Sequence, residues 1–273
     1  MNMKRILTAL IGFPIVVCVL VFGNKYIVDA ILAIIALISM NEYIKCVSNK
    51  AKVVSWISYL CVLSIALLHV VPASVVNFTA TLGIPILLLV LFFHVIVTNM
   101  KINFNDIAYT LIGILYVLCF IMFISLTYGI EGKISGKILV WYIMFSAWGT
   151  DTFAYICGKS LGLGKTKFSK VSPNKSIEGC ISGTLGAVFV CLIYTFCINK
   201  YTSLDISYGL ITIVSIVLSI VGQIGDFAAS AIKRHFEVKD FSNLFPGHGG
   251  MLDRIDSVMF IAPFAYLLLT MFL

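Results

Sequence analysis

Charge is what this chain has least of. Only 11% of its 273 residues are Asp, Glu, Lys or Arg, against roughly 25% in a soluble domain. With 60% hydrophobic residues and a mean hydropathy of +1.06, the chain lacks the polar surface to cover a fold of this size in water. A soluble globular enzyme is excluded, and lipid must be the solvent for most of it. Closely paired cysteines are absent as well. The eight present, at 18, 46, 61, 119, 157, 180, 191 and 197, form no C-x-x-C pair, so neither a zinc site nor a disulfide framework is indicated. They read as small hydrophobes in a reduced environment. No stretch is long enough for a separate soluble domain, and there is no sequence repeat or low-complexity segment. The first apolar run follows Lys4 and Arg5 with no small-residue cleavage pattern after it, so a retained helix is expected there rather than a cleaved signal peptide.

What is present is a series of apolar runs. A hydrocarbon core about 30 Å thick needs roughly 20 helical residues. Nine runs approach that length, at about 6–22, 26–44, 53–72, 76–98, 107–128, 138–157, 180–198, 207–225 and 257–273. The second is weakened by Asp29. The expected fold class is therefore all-α: a polytopic integral membrane protein with about nine transmembrane helices. Placing the N-terminus in the cytoplasm puts 15 of the 19 Lys and Arg residues on the inside, as the positive-inside rule requires. The net charge of +7 then needs no nucleic-acid partner. The expected location is the cell membrane, with the functional face toward the cytoplasm.

Two cytoplasmic loops, about 158–179 and 226–256, are longer than connectors need, and eight of the twelve acidic residues lie between Asp151 and Asp256. The chain divides accordingly into N-terminal transmembrane helices, 1–137, and a catalytic transmembrane part, 138–273. Ionisable groups at membrane depth are costly, which makes function the default reading for them. If the eighth helix continues past Gly225, then Asp226, Ser230, Lys233 and Arg234 place a carboxylate, a hydroxyl and two cations along one face. Pro246-Gly247-His248-Gly249-Gly250 is too flexible for a helix interior. Asp253 and Asp256, at i and i+3, share a helix face. Carboxylates that converge beside Lys and Arg suit phosphate chemistry: the acids hold Mg²⁺ and the bases neutralise phosphate charge. From the charge pattern alone, salt bridges tying helix ends together remain the competing account.

The run from Ser230 to Asp256 resembles the signature of the phosphatidate cytidylyltransferase family, also called CDP-diacylglycerol synthases. It reads S-x-I-K-R-x4-K-D-x-S-x2-F-P-x-H-G-G-M-x-D-R-I-D and includes Lys239, Asp240, His248, Gly249, Gly250 and Arg254. Trp148-Gly-Thr-Asp151-Thr-Phe-Ala-Tyr155-x2-Gly158 and Ser172-Pro-Asn-Lys175-Ser-Ile-Glu-Gly179 are similar to two further stretches of that family. This chain departs from the family at Asn174, Ser176 and Ala229. The resemblance implies the reaction of CTP with phosphatidate to give CDP-diacylglycerol and pyrophosphate, with Mg²⁺ and a second, monovalent cation, K⁺. It implies Asp226, Asp253 and Asp256 as metal ligands; Lys233, Arg234, Lys239 and Arg254 as phosphate-binding groups; and Asp151, Ser172, Lys175, Ser230, Asp240, His248, Gly249 and Gly250 as groups that shape the substrate site. A homodimer is an arrangement it leaves open.

Two rival activities stay open at this point. A CTP-dependent polyprenol or phytol kinase would also join CTP to a membrane lipid. An ion-coupled transporter would place carboxylates near helix breaks, but in repeated halves. Gly158 to Thr166 imitates a phosphate-binding loop, yet Lys159 stands where its first glycine is required and no strand precedes it. His69 and His94 read as packing or helix-end residues, and His235 as solvated. Glu42 and Asp106 read as interfacial charges at helix ends, so Glu42→Gln is expected to be silent.

Overall fold

The structure is a computed structural model describing residues 3–160, 166–167, 172–173, 175–245, 247 and 249–272. Among them there is no β-strand, only two isolated antiparallel bridges, Lys167 with Ser176 and Phe245 with Gly249. The helices are α1 (Met3–Phe22), α2 (Lys25–Val47), α3 (Ser55–Leu63), α4 (Ala73–Val97), α5 (Phe104–Ile114), α6 (Phe120–Tyr128), α7 (Gly136–Tyr155), α8 (Ile177–Tyr201), α9 (Tyr208–His235) and α10 (Leu252–Phe272). A 3-10 turn, Ser64–Leu67, extends α3, and π-helical turns, Leu115–Cys119 and Ile156–Ser160, follow α5 and α7.

Among the described residues five helical stretches are long and apolar enough to cross a membrane: Lys25–Val47, Phe104–Tyr128, Ile177–Tyr201, Tyr208–His235 and Leu252–Phe272. A sixth arises if α4 counts as one span, although it bends by 52° between Ala73–Thr79 and Thr81–Val97. Pro85 lies inside α4; it cannot donate to the carbonyl four residues back, a standard cause of such bends. The Ser55–Leu67 stretch is shorter than a span. The polar and small residues that thin the apolar character of α7, among them Ser146, Gly149, Thr150 and Asp151, are the ones it uses to pack and to build the site described below.

The chain forms two compact units, Met1–Ser125 with Phe236–Asp253, and Leu126–His235 with Arg254–Leu273. Phe236–Asp253, late in the sequence, packs with the first helices. The physical reason is hydrogen bonding of this segment to Glu42, set out below.

In the first unit α2 is the central element, burying Val28, Ala36, Met40 and Tyr43. Its start is fixed by Asn24, whose side chain accepts from the Ile27 N–H at 2.9 Å, a standard N-cap. Asp29, which weakened the sequence case for this span, is fully buried and satisfied. It accepts from the backbone N–H of His69 (3.2 Å) and from the Ser125 hydroxyl, and it pairs with His69 Nδ1 at 2.8 Å. His69 therefore has a charged partner that its apolar sequence neighbourhood did not reveal. At α5, Asn103 and Asp106 form a capping box, and Asp106 also accepts from the Lys52 N–H at 2.7 Å. Its interfacial reading thus becomes a structural one.

In the second unit small residues form the seams. A Cβ on Gly149 would lie 2.9 Å from the Ala187 Cα, and one on Gly183 would lie 2.8 Å from the Thr150 carbonyl oxygen. These positions let α7 and α8 approach backbone to backbone, as small residues do between membrane helices. Hydroxyl pairs add specificity: Tyr142 with Thr195 at 2.9 Å and Thr150 with Ser219 at 2.7 Å.

Candidate active site

The charged cluster of the second unit is assembled where α9 and α10 touch. A Cβ on Gly225 would come within 2.7 Å of the Phe260 Cβ and 2.8 Å of the Asp256 carbonyl oxygen. Any larger residue would push apart the two helices that carry Asp226 and Asp256. Asp226 is ion-paired with Lys175, each side chain 27% exposed. The Lys175 ammonium also lies over the Phe227 ring, 4.3 Å from its centroid, a cation–π contact that holds it in place.

Asp151, in the last turn of α7, lies within electrostatic range of Asp226, Lys175 and Arg254. Asp256, only 8% exposed, senses Asp226, Lys233 and Asp151 and accepts from the Ser257 N–H at 2.8 Å. Three carboxylates and three cations from α7, α9, α10 and the segment before α8 thus share one electrostatic neighbourhood. Buried like charges repel strongly at low dielectric, so the cations are part of what lets the acids gather. Ser230 follows Asp226 by one turn of α9 and is partly buried; Arg234, in the final turn, is exposed. Ser172 sits in a turn closed by the Lys175 N–H donating to its carbonyl at 3.1 Å, which delivers Lys175 to the cluster.

Among the described residues no three His, Cys, Asp or Glu side chains stand close enough to hold a metal ion as they are. The donor chemistry nevertheless fits a hard cation, which takes carboxylate oxygens: Asp226 and Asp256 share a neighbourhood with Asp151, and the Lys175 ammonium is what sits on Asp226.

The remaining signature residues belong to the first unit, where they build a loop. Asp253, also 8% exposed, accepts through Oδ2 from two backbone N–H groups, Phe241 and Gly250, each at 2.9 Å. This carboxylate, expected as a metal ligand, organises backbone. Gly249 has φ +81°, and a Cβ there would meet Asp253 Oδ2 at 2.8 Å, so conformation and space both require glycine. Gly250 has its own constraint, since a Cβ would come within 2.5 Å of Glu42 Oε2. Lys239 and Asp240 are exposed on this loop. His248 lies outside the described residues, as does Asn174.

Glu42 is the residue that sequence reasoning misplaced. It is 4% exposed and accepts through Oε1 from the Ser242 hydroxyl (2.6 Å) and the Met251 N–H (2.8 Å), and through Oε2 from the Leu252 N–H (2.9 Å). An acid inside a long apolar run is costly unless used, and that signal was available. The interfacial reading assigned it to a helix end instead.

Comparison with known proteins identifies the family. The sequence matches the cytidylyltransferase family over residues 3–272. It is 31% identical to the phosphatidate cytidylyltransferase of Staphylococcus haemolyticus over 268 residues, covering 97% of this chain and 98% of that protein. Identity to the enzyme of the same name from Bacillus subtilis is 37% over 190 residues, 68% of this chain and 66% of that one. With a match running from the first helix to the last, the chain belongs to the cytidylyltransferase family.

Proposed function

We propose that this protein transfers the cytidylyl group of CTP to phosphatidate, forming CDP-diacylglycerol and releasing pyrophosphate. Besides family membership, the observation that supports this reading most directly is the Asp151–Asp226–Asp256 cluster interleaved with Lys175, Lys233 and Arg254. A phosphate oxygen of phosphatidate forms a bond to the α-phosphorus of CTP, and the bond from that phosphorus to the bridging oxygen of pyrophosphate breaks. The nucleophile is already an anion, so general-base help is not the main need. The obstacle is bringing two polyanions together, and positioned positive charge is the device that lowers such barriers.

In this reading Lys175, Lys233 and Arg254 bind phosphate oxygens, and Arg234 offers a two-pronged donor to a phosphate at the helix end. Asp226 and Asp256 would hold Mg²⁺, whose positive charge would offset that of the phosphates, and K⁺ would complete the cation set. Asp253 and Glu42 hold the loop that carries Lys239, Asp240 and Gly249. The proposal extends to nine membrane crossings, with the N-terminus and both loops in the cytoplasm, where CTP is supplied.

Incubating purified protein with CTP, Mg²⁺ and phosphatidate and identifying both products tests the reading. CDP-diacylglycerol and pyrophosphate in equal amounts support it. Release of CDP with phosphorylation of an added polyprenol would replace it with a lipid kinase.

A further inference from the structure

Counted formally, the charged cluster of the second unit carries no net negative charge. Asp151, Asp226 and Asp256 bring at most three negative charges, and Lys175, Lys233 and Arg254 bring three positive ones. Affinity for a divalent cation rises with the negative charge of the ligand set. A balanced cluster is therefore a weak site for a metal ion that arrives alone.

Lys175 is bonded directly to one of the three acids, its Nζ donating to Asp226 Oδ2. The same ammonium lies 4.3 Å from the ring centroid of Phe227, the next residue along α9. Its backbone is pinned on both sides. The Lys175 N–H donates to the Ser172 carbonyl at 3.1 Å, and Ser176 caps α8 by accepting from the Gly179 N–H at 3.1 Å. What is left to move is the flexible four-carbon stem, whose ammonium carries three rotatable donors. A fixed backbone under a jointed side chain is suited to handing a charge over a short distance.

An ammonium and a metal ion on one carboxylate use the same acceptor oxygens and repel each other. At separations of about 4 Å that repulsion is strong at protein dielectric. We infer that Lys175 and a divalent cation compete for Asp226, so that the metal binds tightly only when the phosphates of a nucleotide arrive to take the Lys175 ammonium. The inference rests on the proposed function, which brings CTP and Mg²⁺ to this cluster. It deepens that reading by making the order of loading a property of one residue. Phe227 keeps the ammonium close during the exchange, because its attraction for the cation does not depend on which anion the lysine meets.

The test measures binding, with purified full-length protein in detergent. Mn²⁺ replaces Mg²⁺ and is followed by the electron paramagnetic resonance of the free ion, without nucleotide. Labelled CTP is titrated separately at saturating Mn²⁺. A charge beside a carboxylate changes its proton affinity by about 10- to 1,000-fold, and a divalent ion feels the same charge more strongly. Lys175→Met and Lys175→Gln should therefore bind Mn²⁺ at least about tenfold more tightly than wild type. The same variants should bind CTP at least about tenfold more weakly, the loss of one charge-assisted bond. Lys175→Arg, which keeps the charge, should stay near wild type for Mn²⁺. Phe227→Leu keeps the lysine and removes its aromatic seat, and should tighten Mn²⁺ binding by about threefold. Adding Asp226→Asn to Lys175→Met should abolish the gain.

Opposite changes for the two ligands separate this role from the alternatives. A lysine that only binds phosphate weakens CTP and leaves Mn²⁺ unchanged, and a lysine that only supports the fold weakens both. Mn²⁺ affinity unchanged or reduced in both neutral variants overturns the inference. So does an equal gain in Lys175→Arg, or a gain in Lys175→Met that survives Asp226→Asn. Absence of CDP-diacylglycerol when the wild type is given CTP, Mg²⁺ and phosphatidate would instead overturn the functional reading, whatever the Mn²⁺ titrations show.

Discussion

Substituting Glu42 by Gln changes one atom of a side chain with no place in the charged cluster, and the structure makes it consequential. The carboxylate accepts three hydrogen bonds, two at Oε1 from Ser242 and Met251 and one at Oε2 from Leu252. Bonds to a charged acceptor are worth about 1.5–3 kcal/mol each, against about 0.5–1.5 for neutral ones. A glutamine can keep its carbonyl at Oε1, but its NH2 group then faces the Leu252 N–H, donor against donor. One buried N–H loses its acceptor at about 1–3 kcal/mol, and the two surviving bonds weaken to neutral strength. The closed arrangement of residues 242–252 should therefore lose about 3 kcal/mol, more than a hundredfold in its local opening equilibrium. Hydrogen exchange of the Met251 and Leu252 amides should accelerate by about that factor where exchange proceeds through local opening. The kcat/KM for both substrates should fall at least tenfold, since this loop carries the signature residues Lys239, Asp240 and Gly249. An interfacial Glu42 predicts the opposite, a silent substitution. Wild-type kinetics together with unchanged exchange across 242–252 would refute the role assigned here.

Asp256→Asn should raise the Mg²⁺ concentration needed for half-maximal activity, whereas Asp253→Asn should lower activity without moving that midpoint; a Mg²⁺ titration of each variant separates a metal ligand from a backbone organiser. Asp253→Ala, which leaves the Phe241 and Gly250 N–H groups without their acceptor, should be less stable to heat than Asp253→Asn. Arg234→Lys keeps charge and loses the two-pronged donor, so it should lose activity by the scale of one charge-assisted bond, about 1.5–3 kcal/mol; unchanged steady-state kinetics would make Arg234 a membrane anchor. On a background without the native cysteines, a cysteine at 166, 172 or 175 should label only after the membrane is opened, and labelling in sealed cells would reverse the proposed orientation.

Helical class and membrane character were legible because they follow from composition, and most helix positions followed from the lengths of apolar runs. α2 was the doubtful run on account of Asp29, yet it stands as one of the five long apolar helices. The sequence could not show that His69 and Ser125, 40 and 96 residues away, supply the partners that make a buried carboxylate tolerable. The ends of α7 and α9 were legible for another reason. Asp151, Asp226 and Gly225 fall in stretches where polarity rises before the apolar run is over, and the same stretches carry the family resemblance. Lys175 reaches Asp226 across 51 positions; its partner could not be named from spacing, though its membership in the site could.

Harder to read was how one short motif divides its labour. Asp253-Arg254-Ile255-Asp256 looks like two equivalent acids on one helix face, and treating both as metal ligands was the natural inference. Asp253 meets a local demand: a loop with glycines at φ +80° and +81° forms no regular ladder, so the N–H groups of Phe241 and Gly250 need another acceptor. Buried backbone donors are almost always paired, and a carboxylate at the first turn of a helix is well placed to serve them and also favours the positive end of the helix dipole. Asp256, one turn on, meets no such demand from a distant loop and accepts from the adjacent Ser257 N–H; its surroundings are Asp226, Asp151 and Lys233. What separates the two in this structure is which backbone donors the fold sets beside each. The same argument explains Glu42, which no motif contains. An irregular loop rich in glycine must find acceptors somewhere, and in an apolar chain the nearby acids are the groups able to supply them.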